Sequence, residues 1–330
     1  MAVTCKPVGP PSSRSGRSVR APYRQAAAPM PLQNGGQGRP ALAAALSRRP
    51  QGNSHLDLHH SVRDRRMQCS SIPFRAECGM VSIITVTDDS VETHGFFCKM
   101  SARKSQAWQD KRAWLRARFA EGLQLRLLGD GERGFVEFIP GHHAWRSIEG
   151  AADFVVIHCL WVVGKSKGKG HSTALLDEVE AWARQNGFRG VAALTSTGNW
   201  LISPGVLERR GYRVVDTALP GFSLLAHAFE PGPDPRLSGG WIDKALSLGP
   251  GLVVLRSAQC PYLEDAAAHA RAAAGKLGLS FFDRKIETAD DLRRLAPTPY
   301  GVFALVLDGV LISSTFLLEK DILARIGQRV

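Results

Sequence analysis

The sequence predicts an α/β protein of the α+β kind: a mixed central sheet flanked by helices, then a smaller α/β domain, with a disordered tail ahead of both. Three observations carry this expectation. Between residues 81 and 229, short β-rich runs are interleaved with segments of helical periodicity. After a linker-like Glu230-Pro231-Gly232-Pro233-Asp234-Pro235, a second strand–helix–strand pattern begins. The first 70 residues are rich in Pro, Gly, Ser, Ala and Arg and lack sustained apolar periodicity. The expected bounds are 1–70 for the tail, 71–229 for the first domain, 230–240 for a linker and 241–330 for the second domain.

Composition excludes several function classes. The apolar fraction is 44%, ordinary for a globular chain, and no run approaches the ~20 apolar residues of a membrane span. The net charge of +12 resembles that of a nucleic-acid binder until it is located. Residues 1–56 hold no Asp or Glu, but carry Lys6 and seven arginines. They supply +8, leaving +4 for the remainder, with 34 basic against 30 acidic residues. The basic field therefore belongs to the tail, and no specific nucleic-acid partner is expected. An acid-free, Arg- and Ser-rich leader also fits an organellar transit peptide, and a start site chosen too far upstream would give the same composition. Cys5, Cys69, Cys78, Cys98, Cys159 and Cys260 are scattered without metal-ligand spacing, which reads as a reducing compartment. His59-His60 and His142-His143 are adjacent pairs, unsuited to sharing one helical face, so no metal site is expected. The expected location is the cytoplasm, or an organellar matrix if residues 1–56 are a transit peptide.

The folded part opens with the β-rich run Val81–Val86. Lys104–Ala120 reads as a helix, with Trp108, Trp114, Leu115 and Phe119 near one stripe. "GLQLRLL" and "RGFVEFI" flank Gly129-Asp130-Gly131-Glu132 as a hairpin. Ala152–Val163 is the most continuous β-branched and aromatic run, expected to be a strand buried on both faces. A lysine- and glycine-rich loop follows, then a helix through Leu175, Val179, Trp182 and Ala183 that Gly187 ends. "GVAALTS" is a strand, "SPGVLERRG" a short helix, and "YRVVDTA" and "FSLLAHAF" are closing strands.

The loop "VVGKSKGKGHS" concentrates the functional signal. A Walker loop would need glycine where Cys159 stands, and a dinucleotide fingerprint would need glycine or alanine where Thr173 stands. A tight turn between a strand and a helix is poorly displayed as a nuclear-localisation signal. What remains is a helix N-terminus preceded by Gly168 and Gly170, whose free N–H groups and positive dipole end favour a phosphate. Lys165, Lys167 and Lys169 add countercharge.

Lys167-Gly168-Lys169-Gly170-His171-Ser172 resembles the Arg/Gln-x-x-Gly-x-Gly/Ala signature of the GNAT N-acetyltransferase superfamily, and "VLERRGYRVVD" sits where that family places its counterpart. The resemblance spans roughly residues 80–229. It implies that acetyl-CoA is the cosubstrate. Its pyrophosphate would lie on Lys167, Gly168, Lys169, Gly170, His171 and Ser172, and its pantetheine arm along Trp161, Val162 and Val163. Lys167 stands in place of Arg or Gln, and Ser172 in place of the final small residue. The tyrosine that often serves the family as general acid is replaced by Leu207. Backbone N–H groups of a splayed or bulged strand around Leu160–Val162 are the candidate oxyanion donors. Glu137 and His158 are the candidate bases, each with a plain structural alternative: Glu137 paired with an arginine such as Arg146, His158 as a satisfied core histidine. Cys159 reads as a buried, inert thiol rather than a nucleophile. Trp108, His142, His143 and Trp145 are either acceptor-pocket or core residues.

The second domain reads as a strand ("GLVVLRSA"), a Cys260-Pro261-Tyr262 turn, an Ala-rich helix, another strand, a Thr298-Pro299 turn, a hairpin through Asp308-Gly309 and a last helix over Leu317–Ile326. This order resembles the thioredoxin/glutaredoxin fold, and the two-domain arrangement is similar to that of the YoaP-like acetyltransferases. The resemblance implies a thiol site at Cys260 and a cis-proline at Pro299. Leu263 stands where a resolving cysteine belongs, which speaks against dithiol chemistry. A place at a helix N-terminus favours the Cys260 thiolate. The expected function is acetyl transfer from acetyl-CoA to a small-molecule or protein amine acceptor, with no membrane partner. The alternative is a non-catalytic acyl-CoA-binding thiol sensor using Cys260. Neither the acceptor nor the oligomeric state is legible.

Overall fold

A computed structural model describes residues 81–196 and 200–328. The readings of residues 1–70 lie outside them.

The first sheet begins with β1 (Ile83–Val86), followed by the single turn α1 (Val91–His94) and by α2 (Gln106–Phe119). Ser105 starts α2 by accepting the Trp108 N–H on its hydroxyl at 3.4 Å. β2 (Gln124–Leu128) and β3 (Gly134–Pro140) form the expected hairpin, with Asp130 and Gly131 at φ 54° and 76° in its turn. β4 (Ile148–Glu149), β5 (Phe154–Val162), α3 (His171–Gln185), β6 (Gly190–Ser196), α4 (Pro204–Glu208), β7 (Arg213–Ala218) and β8 (Phe222–Ala228) follow.

Seven strands form one sheet in the order β1-β2-β3-β5-β6-β8-β7. All neighbours are antiparallel except β5 and β6. A parallel pair needs a crossover, and α3 is that crossover. One sheet face packs Val136, Phe138, Val155 and Ile157 against Leu175, Leu176, Val179 and Ala183 of α3. The other packs Phe135, Ile139, Phe154 and Val156 against Trp108, Trp114 and Leu115 of α2.

The second half contains β9 (Arg236–Leu237), α5 (Trp241–Leu246), β10 (Leu252–Ser257), α6 (Leu263–Leu277), β11 (Phe281–Ile286), α7 (Ala289–Leu295), β12 (Phe303–Leu307), β13 (Val310–Ser313) and α8 (Glu319–Gly327). Its sheet runs β11-β10-β12-β13, with β10 parallel to β11 and antiparallel to β12. Asp308 and Gly309, at φ 49° and 77°, make the expected hairpin turn. The Thr298–Pro299 bond is trans, contrary to the expectation for Pro299; the one cis bond among the described residues is Leu219–Pro220.

Two further expectations need correction. β5 is not buried along its whole length: its first five residues are buried and its last four half-exposed. Residues 230–240 are not a bare linker. β9 pairs with β4, the Leu237 N–H reaches Asp216 Oδ2 at 2.8 Å, and the Ser238 N–H reaches the Ser147 carbonyl at 2.9 Å. One hydrophobic cluster runs from the α2 face of the first sheet into the second half, and the described residues all belong to one compact unit.

Gly141 follows β3 where the backbone closes on itself. A Cβ there would stand 2.0 Å from the Ala151 carbonyl oxygen and 2.8 Å from that of Phe154, both backbone atoms. Gly141→Ala is therefore expected to cost at least ~1–3 kcal/mol of stability, measured as a lowered denaturant midpoint.

Candidate functional site

The site is built where two strands separate. β5 pairs with β6 only over Phe154–Ile157, then continues to Val162 without β6 beside it. β6 continues to Ser196, with Thr195 bridging to Ile202 instead. On its other edge, β5 stays paired with β3, but the register shifts: Glu137 faces Cys159 and Phe138 faces Ile157. His158 is the extra residue of this bulge. The shift turns both His158 and Cys159 toward the α2 face. The His158 ring lies 6.2 Å from that of Trp114, and Cys159 packs with the α2-side cluster.

Past Val162 the chain enters the lysine–glycine loop. The Val163 N–H bonds the Arg133 carbonyl at 3.0 Å, and Gly164–Ser166 make one 3-10 turn. Buried Ser166 accepts the Arg133 N–H at 2.8 Å, anchoring the loop to the β2–β3 turn. Gly168 and Gly170 sit at φ 78° and 81° with open space where a Cβ would be, so conformation rather than room demands glycine there. α3 then starts without a side-chain cap. The first α3 N–H to find a backbone acceptor is that of Thr173, on Gly170, which leaves the N–H groups of Gly168 through Ser172 open. Lys165, Lys167 and Lys169 are exposed. Glu132 takes Lys169 at 2.6 Å and His171 at 3.1 Å. Hydrogen bonds from Lys169 and Ser166 hold the Glu132 carboxyl down to about 2.

Beneath the opened strand lies a buried ionic frame. Glu137 Oε2 takes Lys111 Nζ of α2 at 2.5 Å, while its Oε1 accepts from Gln259 Nε2 at 3.1 Å and faces His158 Nδ1 at 3.3 Å. The Trp145 N–H donates to His158 Nε2 at 2.9 Å, which places the imidazole proton on Nδ1, toward Glu137. Arg146 donates to the Trp145 carbonyl at 2.6 Å, the His158 carbonyl at 2.5 Å and Gln259 Oε1 at 2.8 Å. Glu137 thus pairs with a cation, but the cation is Lys111; Arg146 reaches it only through Gln259. Burial alone would raise the Glu137 carboxyl, but the Lys111 charge and the His158 hydrogen bond bring it down to about 2. Burial lowers His158 to about 4, against the opposing hydrogen bond to Glu137.

The remaining sequence candidates are placed as follows. Trp108 and Trp145 are core residues, while His142 and His143 lie on the turn after β3 with their rings tilted and centroids 4.0 Å apart. Leu207 is buried in the α3-side core, and the nearby Tyr212 hydroxyl is bound to Glu180 at 3.2 Å. Pro299 offers its carbonyl to the Ser147 N–H at 3.2 Å. Cys260 is a free thiol ahead of α6, but burial raises it and the Tyr262 backbone N–H only partly offsets this, so the expected thiolate is not favoured. Cys159 is pushed up to about 12 by burial, with the Glu137 charge adding to it. Lys111, Gln259 and Cys98 were missed. Lys111 left a signal, lying three residues after Trp108 and three before Trp114 on the inward stripe of α2.

Both lowered groups contribute stability that is present above their unfolded values and lost as pH falls through their folded ones. Stability is therefore expected to fall from about pH 6.5 toward 4 through His158, and from about 4.5 toward 2 through Glu137. His158→Asn should flatten the upper part of that profile in melts across pH. Lys111→Met, which leaves a buried carboxylate without its cation, is expected to cost ~3–5 kcal/mol in denaturant titrations.

Comparison with known proteins bears on this geometry. Residues 87–212 match the family model described as acetyltransferase (GNAT) family. The chain is 28% identical over 229 residues to a protein of Bacillus subtilis (strain 168) described as uncharacterized N-acetyltransferase YoaP, covering 68% of this chain and 90% of that protein. Solved structures similar to it include a ribosomal-protein-alanine N-acetyltransferase from Brucella melitensis, at 15% identity and a TM-score of 0.34, covering 45% of this chain and 100% of that one. Another is the PaiA N-acetyltransferase from Thermoplasma acidophilum in complex with coenzyme A, at 15% identity and a TM-score of 0.33, again covering 45% and 100%. Residues 87–212 thus carry the likeness to the acetyltransferase (GNAT) family, and the chain is an enzyme of the N-acetyltransferase type.

Proposed function

We propose that the chain transfers the acetyl group of acetyl-CoA to the amine of a small-molecule or protein acceptor. The observation that carries this reading is the parting of β5 from β6 directly ahead of an uncapped, glycine-opened helix N-terminus. The open N–H groups of Gly168–Ser172 suit a pyrophosphate, with Lys165 and Lys167 as countercharge and Lys169 shared with Glu132. The free edge of β5 around Trp161 and Val162 suits the amide groups of a pantetheine arm, while the N–H of Val163, next along the arm's path, is held by the Arg133 carbonyl. N–H groups on that edge around Leu160–Val162 are the oxyanion donors in this reading.

In the transfer step, a neutral amine adds to the thioester carbonyl, the C–S bond breaks to release the CoA thiolate, and the proton shed by the acylated nitrogen passes to that thiolate, giving the amide and the CoA thiol. Leu207 supplies no proton, and a thiolate is a sufficient leaving group without one. Glu137 and His158 fit a fixed ionic frame better than a general base. With a carboxyl lowered to about 2 and an imidazole lowered to about 4, both hold an extra proton poorly at neutral pH. The amine then enters the site already unprotonated.

The order strand, helix, strand, helix, hairpin, helix of the second half, with sheet order β11-β10-β12-β13, supports a thioredoxin-like reading. Its single protonated Cys260 and trans Pro299 suit an interface better than dithiol exchange. Nothing favours the alternative, a thiol sensor without turnover. The cytoplasm remains the compartment in this reading; among the described residues, no helix is long and apolar enough to cross a membrane.

Calorimetric titration of the full chain with acetyl-CoA tests the reading. Saturable binding is expected, weakened about tenfold or more, about 1.4 kcal/mol, by Gly170→Asp, which puts a carboxylate at the helix N-terminus. An unchanged Kd in a folded variant would remove the pyrophosphate from this loop.

A further inference from the structure

Three thiols converge on the opened strand from separate parts of the chain. Cys159 lies in the β5 bulge opposite Glu137. Cys260 follows Gln259, which donates to that same carboxylate. Cys98 precedes Lys99, whose ammonium pairs with Asp265 of α6 at 2.7 Å and lies 5.5 Å from the Tyr262 ring centroid. Cys98 also interacts electrostatically with both other thiols. All three are free and keep part of their surface accessible, although burial is the main cause raising each of them. Each residue is thus half-exposed while its thiol is desolvated, and the three border the opened strand. Phe97, packed on Phe135 with centroids 4.8 Å apart, half-buried Trp161 on the same sheet face, and Tyr262 supply aromatic surface around them.

The charges near these thiols are already engaged. Lys111 is held by Glu137, His158 is neutral near pH 7, and Lys99 is paired with Asp265. Arg146 is buried and bound to three oxygens. The frame holds two cations, Lys111 and Arg146, against one carboxylate, so a second ammonium on a ligand is repelled, while a ligand carboxylate finds no accessible free cation. Thiols and aromatic rings offer uncharged, polarisable contacts instead.

We propose that these three thiols line the acceptor pocket, and that its acceptor is a small primary amine whose other end is uncharged and polarisable, a thioether or an aromatic ring. The proposal rests on the acetyltransferase reading above, and its test is separable from it. The full-chain protein is treated with excess iodoacetamide at alkaline pH over hours, because burial slows the reaction of these thiols, without acetyl-CoA. Labelling at Cys98, Cys159 and Cys260 is followed by peptide mass spectrometry. 2-(Methylthio)ethylamine and phenethylamine are expected to slow labelling of these thiols about tenfold more than putrescine or β-alanine do. Equal protection by the dication or the carboxylate, or protection by none of the four, overturns the proposal whatever acetyl-CoA does. In turnover assays, Cys260→Ala is expected to raise KM for the thioether amine while leaving the calorimetric Kd for acetyl-CoA unchanged. An unchanged KM in an active variant counts against the pocket. Failure of the unmodified protein to bind acetyl-CoA would instead sink the acetyl-CoA reading.

Discussion

The Lys111–Glu137 pair is the interaction on which the rest of the site depends. It ties α2 to the middle of the sheet, and its second carboxylate oxygen fixes both the His158 ring and the Gln259 amide. A carboxylate this deeply buried is tolerable only when paired and hydrogen-bonded, and its three partners come from α2, β5 and the turn after β10. The arrangement also sets the protonation of its surroundings. It keeps His158 neutral and adds to the burial that holds Cys159 protonated. The electrostatic character of the floor beneath the opened strand follows from one ion pair.

The bulge at His158 is the second constraint. Without the extra residue, strict alternation would send His158 and Cys159 to opposite faces of the sheet. With it, both reach the α2 side, and the strand continues toward the loop with one edge free of β6. The same local irregularity therefore assembles the ionic frame and accompanies the opening of the strand edge.

What could be read from the sequence was what is encoded locally. Gly168, Gly170 and the helix after them form one contiguous signal, because a positive φ and an uncapped helix start are properties of neighbouring residues. The hairpin turns at Asp130-Gly131 and Asp308-Gly309 were legible for the same reason. Glu137 reads as a candidate base, with pairing to an arginine as the alternative; that its cation is Lys111 rather than Arg146 cannot be known without knowing how α2 lies on the sheet. Gln259 carries no local mark of its role, and β9 was hidden by the prolines and glycine before it. The half-exposure of Cys159–Val162 was missed because an apolar run does not reveal where its neighbouring strand leaves it.

The small β4–β9 ladder and the shared hydrophobic cluster have a consequence for how the polypeptide loses its structure. Where a core is continuous across two sheets, neither sheet retains a complete apolar face once the other melts. A chain cut near residue 230 would strand Glu137 and Arg146 without Gln259 and lay open the face that the second half covers. The carboxy-terminal half is thus less a passenger than part of one cooperative unit, and domain-swapping experiments that treat it as detachable would be exchanging half a core.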